Sequence, residues 1–282
     1  MSRGHYHLAQ GKGTVIGVDV GATLTKLAVA EPEGATRFDW FPSSDLPRAA
    51  HSVAAAEPVR VGLTGGGAAA LAALLSLDTA RVSEFDAWGA GVAALLGEQA
   101  EARYLLVSVG TGTSMMLSDA GRVVRIGGTA LGGGTLLGLG RQLLGEVCFD
   151  DLCALAARGD RWRVDLSVAD VYPGGETPPL AAELTASVFA RLAASDGEPP
   201  RSEDLARALI WMVGENVALI AGGLAAAAGV EAIVFGGSTL RNNPTLREAL
   251  GDILPRFGRR LRFLENGEFG AALGAVIEVR RA

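Results

Sequence analysis

The sequence predicts an α/β fold of two similar lobes, and two observations carry that prediction. A meander of three short β-rich runs with Gly/Thr turns occurs at Thr14–Phe41 and again at Tyr104–Ile126. Each meander is followed by stretches with helical periodicity, so the chain reads as two copies of one plan. With 282 residues it can bury two modest cores.

Thr14–Val20 and Thr25–Ala30 are apolar runs joined by a short Gly-Ala-Thr-Leu link, which predicts a hairpin, and Thr36–Phe41 supplies a third strand. Pro42–Pro58 is Ala/Ser-rich and predicted helical in part. Val59–Leu63 is a strand ending in Thr64-Gly65-Gly66-Gly67, followed by a helix over Ala68–Leu75, a strand over Ala80–Ser83 and a helix over Phe85–Glu98 with Asp86 as its natural N-cap. In the second half, strands are predicted over Tyr104–Val109, Ser114–Leu117 and Arg122–Ile126. Helices follow near Thr135–Leu144, Asp150–Arg158, Pro179–Ala194 and Ser202–Ala228, then a strand over Ile233–Phe235. A helix at Pro244–Phe257, a strand over Leu261–Leu264 and a last helix over Phe269–Val279 complete the reading. Tyr172–Thr177 and Asp196–Pro200 read as loops. The division expected is an N-terminal lobe over 1–103, onto which the C-terminal helix 268–282 packs back, and a C-terminal lobe over 104–267.

Composition excludes several classes of function. Nearly half of the residues are hydrophobic and a fifth charged, as in a globular protein, and the formal charge of −6 argues against a nucleic-acid-coating surface. Met1–Gly13 is polar and has no apolar signal-peptide core. The apolar stretch Val217–Gly237 raises the question of a membrane span, but Glu231 and several glycines interrupt it, so a buried helix followed by a buried strand is expected and no membrane partner. Cys148 and Cys153 match no paired zinc pattern and read as reduced cysteines of a cytoplasmic protein, while His5, His7 and His51 read as surface residues.

Three segments at strand ends carry the chemistry: Asp19–Lys26, Val109–Ser114 and Gly236–Asn243. Glycines let backbone approach a polyphosphate, Thr and Ser add hydroxyl donors, and consecutive N–H groups form an anion nest. Asp19 at a strand tip can hold Mg²⁺ directly or through water, and Lys26 supplies a cation that returns beside Asp19 across the hairpin. Each segment alone is an ordinary turn. In this order and spacing they fit the two phosphate loops and the adenosine loop of an actin/hexokinase-like (ribonuclease H-like) fold, in which each lobe has a mixed five-stranded-type sheet flanked by helices and ATP lies in the cleft. No G-x-x-x-x-G-K-[ST] segment occurs.

Two readings of Glu84 compete. At a strand end it can accept the proton of an attacking alcohol; as a residue beside a helix start it can equally be a solvated acid. Arg125 can grip a carboxylate or phosphate bidentately, or be a surface strand arginine. Gly132-Gly133-Gly134 can offer a donor-rich approach to an anion, or a flexible link.

Taken together these segments resemble the type II pantothenate kinases. The resemblance runs from Val15 to about Ile277 and includes L-T-G-G at Leu63–Gly66, E-F-D-A at Glu84–Ala87, G-G-T-A-L-G-G-G-T at Gly127–Thr135, G-D at Gly159-Asp160, D-V-Y at Asp170–Tyr172 and E-N-G-E-F-G-A-A-L-G-A at Glu265–Ala275. It implies transfer of phosphate from ATP to pantothenate, with Glu84 as catalytic base. It also implies that Arg125, Thr111, Ser114 and Glu84 hold pantothenate. Asp19, Gly21, Ala22, Thr23, Leu24, Lys26, Thr111, Gly132, Gly133, Gly134, Thr135, Leu136, Phe149 and Ser238 would bind ATP, with Mg²⁺ on Asp19. A homodimer built on the long helix Ser202–Ala228 is implied as well. Ala22 and Phe149 depart from the family's usual Gly and Tyr. An amino-sugar kinase of the same fold and an ATP-hydrolysing activator of a dehydratase are the alternatives.

Overall fold

The computed structural model describes residues 13–32, 34–172, 182–193 and 199–282. The first half contains β1 (Val15–Val20), β2 (Leu24–Ala30), β3 (Arg37–Pro42), α1 (Leu46–Ala55), β4 (Arg60–Thr64), α2 (Ala68–Ala72), β5 (Thr79–Arg81) and α3 (Glu84–Leu96). The second contains β6 (Arg103–Val109), β7 (Thr113–Asp119), β8 (Arg122–Thr129), α4 (Gly133–Leu144), α5 (Phe149–Ala156), β9 (Leu166–Ser167), α6 (Val168–Val171) and β10 (Thr185–Ser187). It continues with α7 (Ser202–Ala227), β11 (Ala232–Gly236), α8 (Pro244–Ile253), β12 (Arg260–Phe263) and α9 (Gly270–Arg281).

Two five-stranded sheets repeat one plan. The first runs β3-β2-β1-β4-β5 and the second β12-β11-β6-β7-β8, each an antiparallel meander extended by two parallel strands. Alternation along β1 sends Ile16, Val18 and Val20 into a core shared with α1 and α2. Val15, Gly17 and Asp19 take the opposite face. Over the lower part of that face α9 lies at backbone distance, because a methyl on Gly17 would stand 2.0 Å from the Ala272 carbonyl oxygen and one on Gly62 2.6 Å from that of Ala275. The layer between the sheets is closed by α3 and α9 together with Leu106, Met116 and Val234 of the second sheet. Above α9 the facing surfaces part, and the cleft opens there.

The remaining helices cover the outer face of the second sheet. α7 is long and apolar enough to cross a membrane by length and composition alone, but it is the core helix of this layer, with Leu209, Ile210, Val213 and Val217 fully buried.

Two expectations fail. The predicted helix at 179–194 does not form over its described part. Residues 182–193 make a turn, β10 and a single 3₁₀ turn, Ala190–Ala193. Tertiary bonds override the local preference: β10 pairs with β9, the Phe189 N–H donates to Asp165 Oδ1 at 2.9 Å, and Phe189 itself has φ 59°. The predicted loops at 172–177 and 196–200 lie mostly outside the described residues, as do His5 and His7. Second, the N-cap of α3 is Ser83, not Asp86. Asp86 sits in the first turn, where its charge still favours the helix start.

Candidate active site

Strand register assembles the first wall of the cleft. Asp19 pairs with Lys26 across the hairpin and Lys26 with Trp40 on β3, so the three side chains share one face in one row. Asp19 is buried and Lys26 Nζ donates to its Oδ2 at 3.0 Å. Glycine makes room for both groups. A methyl on Gly65 would lie 2.7 Å from Asp19 Oδ1, and one on Gly21 3.1 Å from Lys26 Nζ.

The equivalent row of the second sheet is Ser108, Ser114 and Gly128. A bulge leaves Ile126 unpaired, since Met115 faces Gly127 while Met116 faces Arg125. Arg125 therefore lies on the same face as Gly128, and its guanidinium folds over that glycine, where a methyl would meet Nη2 at 2.8 Å. Arg125 enters no ion pair among the described residues.

The rows face a cavity of about 460 Å³ lined by Asp19, Gly21, Ala22, Thr23, Leu24, Lys26, Glu84, Ser108, Thr111, Ser114, Arg125, Ser238 and Glu268. A second cavity of about 250 Å³ shares Thr23, Leu24, Gly110, Thr111 and Ser238 with it and adds Trp40, Gly133, Gly134, Leu137, Phe149 and Arg241. The second is smaller than the ~300–1,000 Å³ usual for small-molecule sites, so the two act as one continuous trough.

Glu84 is the first residue of α3, and it also lines the larger cavity. Glu84 thus begins a helix and also borders the cleft. The residue as a whole is exposed, yet loss of water around the carboxyl raises its pKa above the ordinary carboxylate range. The nearby charge of Asp19 adds to the rise, while Lys26 and Arg81 oppose it. Arg81 is fixed by donating from Nη2 to the Gly65 carbonyl at 3.1 Å.

The triple glycine works differently from the expectation. The N–H groups of Gly133 and Gly134 donate to the carbonyls of Gly110 and Thr111 at 2.8 and 2.9 Å, and that of Gly132 to Thr135 Oγ1 at 3.3 Å. They are not a donor surface for an anion. Gly132 is buried, and a methyl there would stand 2.7 Å from two carbonyl oxygens, so the glycines serve to dock α4 against the 110–112 loop. Thr135 spends its hydroxyl on Ala130 O at 3.2 Å. Leu136 is fully buried in the core of the second lobe and cannot line a nucleotide site; Leu137 takes that place, because consecutive helical residues point about 100° apart. Free donors lie in the loops instead: the amides of Ala22, Thr23, Thr111 and Gly112 make no hydrogen bond among the described residues.

These residues fit a magnesium polyphosphate. No group of three or more His, Cys, Asp or Glu among the described residues could cage a metal. A single carboxylate, Asp19, beside Lys26 and unengaged loop amides suits an ion that keeps most of its waters and shares phosphate oxygens. Burial pushes the Cys153 thiol up to about 12, so it stands as a neutral group of the core.

Several residues that line the cleft were not singled out individually from the sequence, among them Trp40, Trp88, Ser108, Leu137, Arg241 and Glu268. Ser108 could have been found by extending the hairpin register by one pair from Val109–Thr113. Arg241 lies within the third glycine-rich segment.

Comparison with known proteins agrees with this geometry. The Fumble family model matches residues 98–278. The type II pantothenate kinase of Staphylococcus haemolyticus (strain JCSC1435) is 34% identical over 264 residues, covering 93% of this chain and 98% of that protein. The corresponding enzyme of Staphylococcus aureus (strain USA300) has the same identity and coverage. Among solved structures, component A of the Acidaminococcus fermentans (R)-2-hydroxyglutaryl-CoA dehydratase superposes with a TM-score of 0.64 at 18% identity, over 94% of this chain and 96% of that one. At such identity this likeness speaks for the fold alone, that of the actin/hexokinase-like ATPases. By family match and by identity across nearly its whole length, this chain belongs to the type II pantothenate kinase family.

Proposed function

We propose that the chain transfers the γ-phosphate of ATP to pantothenate, giving ADP and 4′-phosphopantothenate, the first committed step toward coenzyme A. The observation that carries this reading is the shared cavity in which Asp19 and Lys26 lie opposite Arg125, with Glu84 at its edge. Family membership supplies the acceptor.

Thr23, Thr111, Ser238 and the unengaged loop amides hold the phosphates, and Phe149, Gly133 and Gly134 line the nucleoside end. Lys26 neutralises phosphate charge. Asp19 would hold Mg²⁺, which when bound neutralises the β- and γ-phosphates. Arg125 fixes the pantothenate carboxylate, with Ser114 and Thr111 beside it. The Glu84 carboxylate accepts the proton of the pantothenate hydroxyl as its oxygen bonds to the γ-phosphorus and the bond to the bridging oxygen of ADP breaks. Positioning and charge stabilisation dominate because the transition state is loose. We place the enzyme in the cytoplasm as a homodimer. The exposed Leu219 and Ile220 of α7 support pairing through that helix, and light scattering of the purified protein checks it.

The test is a coupled assay with ATP and either pantothenate or N-acetylglucosamine. Turnover with pantothenate alone is expected, and Glu84→Gln should keep ATP binding while kcat falls by about 10²–10⁴-fold. Phosphorylation of the amino sugar instead, or a full-speed Glu84→Gln enzyme, overturns the reading.

A further inference from the structure

The outer end of the nucleoside cavity is crossed by a contact between the lobes. Trp40 stands on the edge strand of the first sheet, 40% exposed, in the row of Asp19 and Lys26. The Arg241 guanidinium, three residues beyond Ser238, lies over its ring at 5.1 Å from the centroid. On its far side Arg241 faces Asp150 of α5 at 3.7 Å. Both residues line the 250 Å³ cavity. Where that cavity joins the larger one, Thr23 Oγ1 and Thr111 Oγ1, which line both, form a second bridge at 2.9 Å. The nucleoside cavity is thus crossed by two contacts that join one lobe to the other.

The inner bridge uses hydroxyls that a phosphate would claim, so it gives way when ligand binds. The outer one has no such competitor. An indole face and a guanidinium attract each other without needing the cavity itself.

We propose that Trp40 and Arg241 form a clasp that closes the nucleoside end of the cleft over a bound purine nucleotide and sets how fast it leaves. This rests on the kinase reading for the identity of the ligand. The clasp acts on dwell time, not on the chemical step, since neither residue lines the cavity that holds Glu84 and Arg125.

The experiment is stopped-flow release of a fluorescent ADP analogue from the full chain, without pantothenate, for wild type, Trp40→Ala, Arg241→Ala and the double variant. A cation–π contact at a partly exposed site predicts a rise in the release rate of about two- to fivefold for each single variant. The double variant should release no faster than the faster single one, because both remove the same contact. Trp40→Phe keeps an aromatic face and should fall between wild type and Trp40→Ala, which separates the clasp from general loss of packing. Unchanged release in the single variants, or effects that multiply in the double one, overturns the clasp. A wild-type chain that binds no adenine nucleotide overturns the kinase reading itself, so the two failures are distinguishable.

Discussion

The two meanders present the same row of three positions to the cleft and fill it with opposite chemistry. In the first sheet the row reads Asp19, Lys26, Trp40; in the second, Ser108, Ser114, Gly128. One wall brings charge and bulk, the other hydroxyls and empty space. The vacated volume at Gly128 is what lets Arg125 lie flat across the second wall. A repeated fold thus yields an asymmetric site: on the proposed reading one copy handles the polyphosphate, while the other makes room for an acceptor and the arginine that would grip it.

Substitutions can break that division of labour, beginning with the charged wall. Asp19→Asn removes the only row carboxylate and should lower kcat on the order of 10²–10³-fold, as for loss of a preorganised electrostatic group, measured in the coupled assay at saturating ATP. On the small wall, Gly128→Ala sets a methyl 2.8 Å from Arg125 Nη2 and 2.5 Å from the Thr113 carbonyl oxygen. It should cost about 1–3 kcal/mol of stability by overpacking, read from denaturant melts, and should raise KM for pantothenate about tenfold with KM for ATP nearly unchanged. If KM for ATP rises equally, the walls are not specialised.

A pH profile sharpens the comparison further. In the proposed role Glu84 would act as a base only when deprotonated, and its pKa is raised, so kcat/KM should fall as pH drops through a value above its ordinary one. Arg81 opposes that rise, so Arg81→Gln should move the acid limb to higher pH. A limb that stays put assigns it to another group. The smallest effect belongs to Ser108→Ala: one neutral hydroxyl at the edge of the cavity, with an expected change in kcat/KM of about tenfold or less.

Much of this was legible in the chain. Both hairpins follow from alternating apolar runs closed by glycine-rich turns, and the hairpin spacing alone brings Lys26 back beside Asp19. Glu84 and Arg125 reach the same cavity, Glu84 from the first turn of α3 rather than from the strand end that the sequence suggested. Leu136 and the amides of Gly132–Gly134 were misjudged because motif membership does not reveal which way a helix faces or which carbonyls its first turn meets. Trp40 and Arg241 stayed hidden because they lie some two hundred residues apart, and only the assembled sheets bring them together. The described part of the helix expected over 179–194 failed for the same reason, its backbone being claimed by partners near Asp165.

The placement of α9 has a bearing on how the molecule is made. Its backbone nearly touches Gly17, Gly62 and the α3 backbone at Ala87, so the first sheet's inner face has no cover until residues 270–281 arrive. On the ribosome, the opening strands must wait for the rest of the polypeptide with that apolar surface bare, and the second sheet's core, which draws on residues as late as Leu254, closes only shortly before. Such a long delay between partner segments is where a chaperone would find its hold.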